Sequence, residues 1–386
     1  MEVAETDVCL VEQARPVSKL MPSICVIGAG VSGLTTAIEL IRKGHRLTNI
    51  ADATRDNTTS TAAAAFWYPF WTGVTPDHSW YRPTWAWESF VALNEFVADP
   101  AAGITEVELM EYFDSTMPPG EVSGVIESMW WRAMPRTAFQ LLNRDQIPDL
   151  SCAGRRFQSG SKIRTLVVNM SCYLRRLEDV FSELGGTIVD RHVLPGDLSK
   201  LSKEFDYVVS CCGLGARELV ADEDVEPVEG VVVHVKPVKG VNSVILAHTG
   251  KLFGRRPVYV VPRGGPKPDV VLGGTLGERR GGSPRHFSWP LPDDEWRVRG
   301  DAERIVRMCS ELEPSLGSPS TIFSNITSVS VGYRPRRVPS VRLEPQYRGP
   351  LAGKLIHNYG HGGGGVTLSW GCAREVGKWI EWLAHS

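Results

Sequence analysis

Residues 23–52 read "SICVIGAGVSGLTTAIELIRKGHRLTNIAD", and this stretch decides the fold. An apolar run, Ile24 to Ile27, ends in Gly28-Ala-Gly30-Val31-Ser32-Gly33. A helix is predicted next, with Leu34, Ala37, Ile38 and Ile41 on one face and Gly44 at its C-terminal end. A second strand, Leu47 to Ala51, leads to Asp52, which lies 24 residues past Gly28. Strand, glycine turn, helix and strand make a βαβ unit with a dinucleotide fingerprint. Its first Gly allows the tight turn, its second lets backbone approach a pyrophosphate, and its third lets helix pack on strand. The helix N-terminus offers N–H groups to the phosphates, and an acid at Asp52 can bond a ribose. The fingerprint does not separate NAD from FAD.

Outward from this unit the chain changes character. Residues 76–159 are rich in Trp and Pro, with no clean period. "CYLRRLEDVFSELGG" (172–186) is an amphipathic helix with Leu174, Leu177, Phe181 and Leu184 aligned. "TIVDRHV" and "DYVVSCCGLG" follow as short buried strands. From 221 to 330, β-branched runs such as "GVVVHV", "VNSVILAH", "PVYVVP" and "DVVLGGT" alternate with Gly and Pro. The gaps between runs are too short for crossover helices, so an antiparallel sheet is expected. "KLIHNY", four glycines (Gly362 to Gly365) and a final helix make a second strand–turn–helix. The fold class is therefore α/β plus α+β: a Rossmann-like unit assembled from 22–75, 160–220 and 331–386, and a β-rich unit from 76–159 and 221–330. Residues 1–21 read as an N-terminal extension.

Bulk properties exclude several classes. The 386 residues are 42% apolar and 22% charged, with a formal net charge of −2, so no basic field points at nucleic acid. No apolar stretch approaches the roughly 20 residues that span a bilayer, and the acidic first segment lacks the apolar region of a secretory signal. The eight cysteines (9, 25, 152, 172, 211, 212, 309, 372) show no CxxC and no metal spacing, so no metal site is expected and a reducing cytoplasm fits.

Three further stretches bear chemistry. In "NTTSTAAAAFWYPFW" (57–71), Thr58, Thr59 and Ser60 either reach a phosphate or cap a helix that the alanines begin. In "VGYRPRRVPSVRLEP", Arg334 precedes a proline; it is either a surface loop residue or a guanidinium held to grip a carboxylate. His357 and His361 flank the glycine turn without a shared helical face, which favours structural hydrogen bonding over metal or acid–base work.

Taken in order, "GAGVSG", "AFWYPFW", "VVLGGT", "GYRP…VRLE" and "HNYGHGGGGVTLSWGCA" resemble the D-amino-acid oxidase family of FAD-dependent oxidases over nearly everything after Met21. The resemblance implies that Arg334 and Tyr259 hold the substrate carboxylate and that the Gly363 carbonyl accepts its amine. It implies FAD as cofactor, held around Gly28, Gly30, Val31, Ser32, Gly33 and Asp52; around Thr58, Thr59, Ser60 and Ala63; around Val193, Cys212 and Gly213; and around Arg334, Gly363, Gly364, Gly365, Val366 and Thr367. The second glycine turn would bring another helix N-terminus, at Val366–Thr367, to the opposite end of that cofactor. The implied reaction is oxidative deamination of a D-amino acid, with O2 reduced to H2O2. Implied partners are a small-molecule amino acid and O2, with no nucleic acid and no membrane; a homodimer is left open.

The chain also departs from that pattern. The lid segment reads "KLFGRRPVY", with Phe253 nearest the expected tyrosine and Arg255 beside it as a candidate for a second carboxylate. Tyr68 stands where the family carries glutamine or, in D-aspartate oxidases, histidine. Ala53 replaces an arginine beside the ribose acid, and Val231 a polar residue. Glycine, sarcosine or D-proline oxidation, or tailoring of an unusual amino acid, therefore stays open as an alternative.

Overall fold

The computed structural model describes residues 21–52, 58–69, 83–248, 257–275 and 284–385. Its strands are β1 (Ser23–Ile27), β2 (Arg46–Ala51), β3 (Ile104–Asp114), β4 (Gln140–Leu142), β5 (Ser151–Cys152), β6 (Arg155–Val168), β7 (Thr187–Asp190) and β8 (Tyr207–Ser210). The rest are β9 (Val225–Val235), β10 (Val244–His248), β11 (Pro257–Arg263), β12 (Asp269–Gly273), β13 (Arg285–Ser288), β14 (Ile326–Arg337), β15 (Arg342–Pro345) and β16 (Leu355–Tyr359).

Six strands form one sheet in the order β15-β16-β8-β1-β2-β7. All its pairings are parallel except that of β15 with β16. β1 lies between β2 and β8, so the chain leaves it toward both sides. That arrangement opens a crevice at the carboxyl ends of the strands. The first helix, Val31–Arg42, buries Leu34, Ala37 and Ile38 completely, as its period predicts. It ends where Gly44, at φ +89°, donates its N–H to the Ile41 carbonyl. The last helix, Gly365–Leu383, packs along the first: Thr35 Oγ1 donates to the Ser369 carbonyl at 3.3 Å.

The larger sheet runs β13-β14-β9-β12-β11-β10-β3-β6-β4, with β5 beside β6. β9 to β12 pair antiparallel as expected, whereas β10 lies parallel to β3. Alternate side chains sort to two cores, as the two-residue strand period requires. Val231, Val233, Val260 and Leu272 pack with the helix Trp296–Leu312. Val232, Leu246, Tyr259, Val261 and Val271 share a core with residues of the six-stranded sheet. The second face therefore turns toward the crevice. β6 and β14 run across residues 160 and 331, the expected limits of the two units.

Candidate active site

One cavity of about 850 Å³ extends from the crevice to the inner face of the larger sheet. The turn after β1 forms one wall. Gly28 sits at φ +109°, where L side chains strain, and a Cβ there would stand 2.6 Å from the Cys211 carbonyl oxygen. A Cβ on Gly33 would stand 1.9 Å from the Gly28 carbonyl oxygen, so helix and strand meet only through glycine. Gly30, Val31 and Ser32 line the cavity; Gly33 serves the packing behind it.

Beyond the turn, Asp52 lines the cavity and its Oδ2 lies 2.5 Å from Nδ1 of the exposed His192. That bond raises the His192 pKa. Val193, Cys212 and Gly213 complete this end. Residues 58–62 form turns rather than a helix, which removes the capping reading of Thr58 to Ser60. Thr58, Thr59, Ser60 and Ala63 all face the cavity, and Ser60 Oγ accepts from the Val31 N–H at 3.1 Å.

At the second glycine turn Gly363, Gly365, Val366 and Thr367 line the cavity, while a Cβ on Gly364 would instead meet Leu368 at 3.4 Å. A Cβ on Gly365 would lie 3.9 Å from Val31 Cγ1. The two helix N-termini thus stand side by side. Thr367 Oγ1 donates to the Tyr68 carbonyl at 3.1 Å, tying this turn to the aromatic segment. His357 is fully buried, 3.1 Å from the Gln346 Oε1 acceptor, which is the structural role expected of it. Burial lowers the pKa of His357 to about 3 and that of His361 to about 4.

Arg334, at the inner face, is no surface residue. Its Nη1 donates to the carbonyls of Thr275 (3.1 Å) and Glu229 (3.2 Å), and its guanidinium fills the space beside Gly230. Its Cδ is 3.8 Å from where a Cβ on Gly363 would point. The Tyr259 ring rests against Gly273 and Gly274, at distances a Cβ on either would obstruct. Burial raises the Tyr259 pKa, against a smaller lowering by Arg334, so the phenol keeps its proton. Arg334, Tyr259 and the Gly363 backbone thus share one part of the cavity.

Of the five aromatics in 66–71, Trp67 is core, donating to the Ala86 carbonyl, whereas Phe66 and Tyr68 line the cavity. Phe253, Arg255, Phe70 and Trp71 lie outside the described residues. Sequence reading missed Glu111 and His248. Tyr68 Oη donates to Glu111 Oε1 at 2.6 Å, and His248 Nε2 lies 2.7 Å from the same oxygen. The alternation in "VELMEYFD" was the available signal for β3, but not for its partners.

Three features of the cavity suit a dinucleotide. The Gly28–Gly33 cradle is one. The adjoining helix N-termini, which favour negative charge, are a second. The third is a pair of buried polar atoms on the wall, Asn358 Oδ1 and His361 Nε2, with no hydrogen-bond partner among the described residues.

The sequence profile described as "FAD dependent oxidoreductase" (DAO) matches residues 23–379, and the chain belongs to that family. FAD is its cofactor and amine oxidation its class of reaction. Among its relatives, the D-amino-acid oxidase of Rubrobacter xylanophilus is 34% identical over 351 residues, covering 91% of this chain and 93% of that one. Human D-aspartate oxidase is 31% identical over 373 residues, covering 94% and 96%. In fold, the chain resembles the glycine oxidase of Geobacillus kaustophilus, with a TM-score of 0.68 at 18% identity, covering 94% and 95%. No described helix is long and apolar enough to cross a membrane.

Proposed function

We propose that the protein is an oxidase that deaminates a D-amino acid, giving an imine that hydrolyses to a 2-oxo acid, while O2 becomes H2O2. The observation that carries this reading is the placement of Arg334, Tyr259 and Gly363 around one part of the cavity. The Arg334 guanidinium, pinned by two carbonyls, takes the α-carboxylate, and the protonated Tyr259 phenol adds a hydrogen bond. The Gly363 carbonyl accepts an amine N–H. A two-point hold of this kind positions the α-carbon, and positioning is most of what such a site supplies. A neighbouring guanidinium also favours loss of the ammonium proton.

Bound FAD supplies the two-electron acceptor and hands the electrons to O2. Gly28 to Ser32 would hold its pyrophosphate, Asp52 its ribose, and the N-terminus of the last helix its ring system. The six-stranded sheet serves as the cofactor unit and the larger sheet as the substrate unit. Incubation with single D-amino acids, glycine and sarcosine, with assays for H2O2 and 2-oxo acid, tests the reading. Formation of both products from a D-amino acid is expected; their absence with every amine tried would refute it.

A further inference from the structure

We infer that Glu111 selects the substrate's side chain, favouring one that ends in a cation, as in basic amino acids, and rejecting acidic ones. The inference rests on the reaction proposed above.

Leu246 stands in register with Glu111 on one side and with Tyr259 on the other. Glu111 and Tyr259 therefore project from the same face, two strands and about 10 Å apart. Phe66 bridges the interval: its ring centroid is 6.3 Å from that of Tyr259 and 6.2 Å from that of Tyr68. A long side chain leaving an α-carbon anchored at Arg334 and Tyr259 can reach Glu111 along this wall.

The far end is a built carboxylate site. Glu111 is 1% exposed yet borders the cavity. Tyr68 Oη and His248 Nε2 share its Oε1, and Ser161 Oγ, from the strand position opposite, donates to Oε2 at 3.0 Å. His248 is itself stacked on Phe113, centroids 5.0 Å apart and planes 12° apart. These contacts hold the carboxylate still and leave Oε2 capacity for a further donor. Of the other cavity-lining residues, Met117, Val125 and Trp131 are uncharged and Glu121 adds a second carboxylate. An ammonium or guanidinium arriving there meets a fixed, water-poor acceptor. A carboxylate meets a like charge.

The test compares kcat/KM for D-arginine and D-lysine with their uncharged counterparts D-citrulline and D-norleucine, and with D-aspartate and D-glutamate. The wild-type enzyme should prefer the cationic member of each pair by about 10-fold or more. In Glu111→Gln that ratio should fall toward one. A wild-type preference for the acidic substrates overturns the inference, as does an unchanged ratio in Glu111→Gln. So does equal use of charged and uncharged partners, which would still leave the amino-acid oxidase reading standing. Failure of every amino acid to reduce the flavin would remove both. The wild-type ratios decide the matter even if Glu111→Gln does not fold.

Discussion

A Cβ added to Gly230 would stand 2.5 Å from Nη1 of Arg334, so the guanidinium occupies the space a side chain would take. The obstructed atom is the end of a flexible side chain, so Gly230→Ala should fold and displace Arg334 instead. KM for the amino acid should rise at least about tenfold, with FAD content unchanged. Arg334→Ala removes the charge outright and should cost about 2–5 kcal/mol in kcat/KM. A Gly230→Ala enzyme with wild-type KM would separate Arg334 from substrate binding.

Gly33 differs because its obstacle is backbone. With the Gly28 carbonyl oxygen 1.9 Å from a Cβ, Gly33→Ala must push the first helix off β1. It should lower stability by about 1–3 kcal/mol and lose most bound flavin. The ratio of absorbance at 450 and 280 nm after purification, with a thermal melt, checks both.

Tyr259 keeps its phenolic proton because burial raises its pKa. Tyr259→Phe keeps the ring that fits Gly273 and Gly274 while removing one hydrogen bond to a charged group, worth about 1.5–3 kcal/mol. The loss should appear in kcat/KM, with little change in melting temperature.

Acid should destabilise the fold through His357 and His361, which stay neutral when folded down to pH of about 3 and about 4. Unfolded, each binds a proton near pH 6.5. Below that value the unfolded state holds more protons, so stability falls with pH until the folded pKa values are reached. Each histidine contributes a slope of at most about 1.4 kcal/mol per pH unit in that window. Urea titrations of wild type and His357→Gln between pH 7 and 5 should show a shallower decline in the variant.

The βαβ unit was legible because its signals are local: one apolar run, one glycine turn and one helical period within thirty residues. Arg334 became readable only through the resemblance, since an arginine before proline has no distinguishing local pattern. Its fixing partners are distant in sequence: Gly230 lies on β9 and the Thr275 carbonyl just past the end of β12. Glu111 was hidden more deeply. Its partners Tyr68, Ser161 and His248 lie 43, 50 and 137 residues away, and only the strand order brings them together. The second glycine turn announced a helix N-terminus. Its position beside Val31 depends on how the first and last helices pack, which no local pattern encodes.

The central claim is that an amino acid gripped by Arg334 gives up electrons to bound FAD with one handedness at the α-carbon. Anaerobic mixing of the yellow holoenzyme with paired D- and L-amino acids, followed at 450 nm, measures this directly. The account predicts bleaching by one or more D-amino acids and none by their L-partners. An unbleached flavin across the D-series, or bleaching by the L-partners alone, would contradict it.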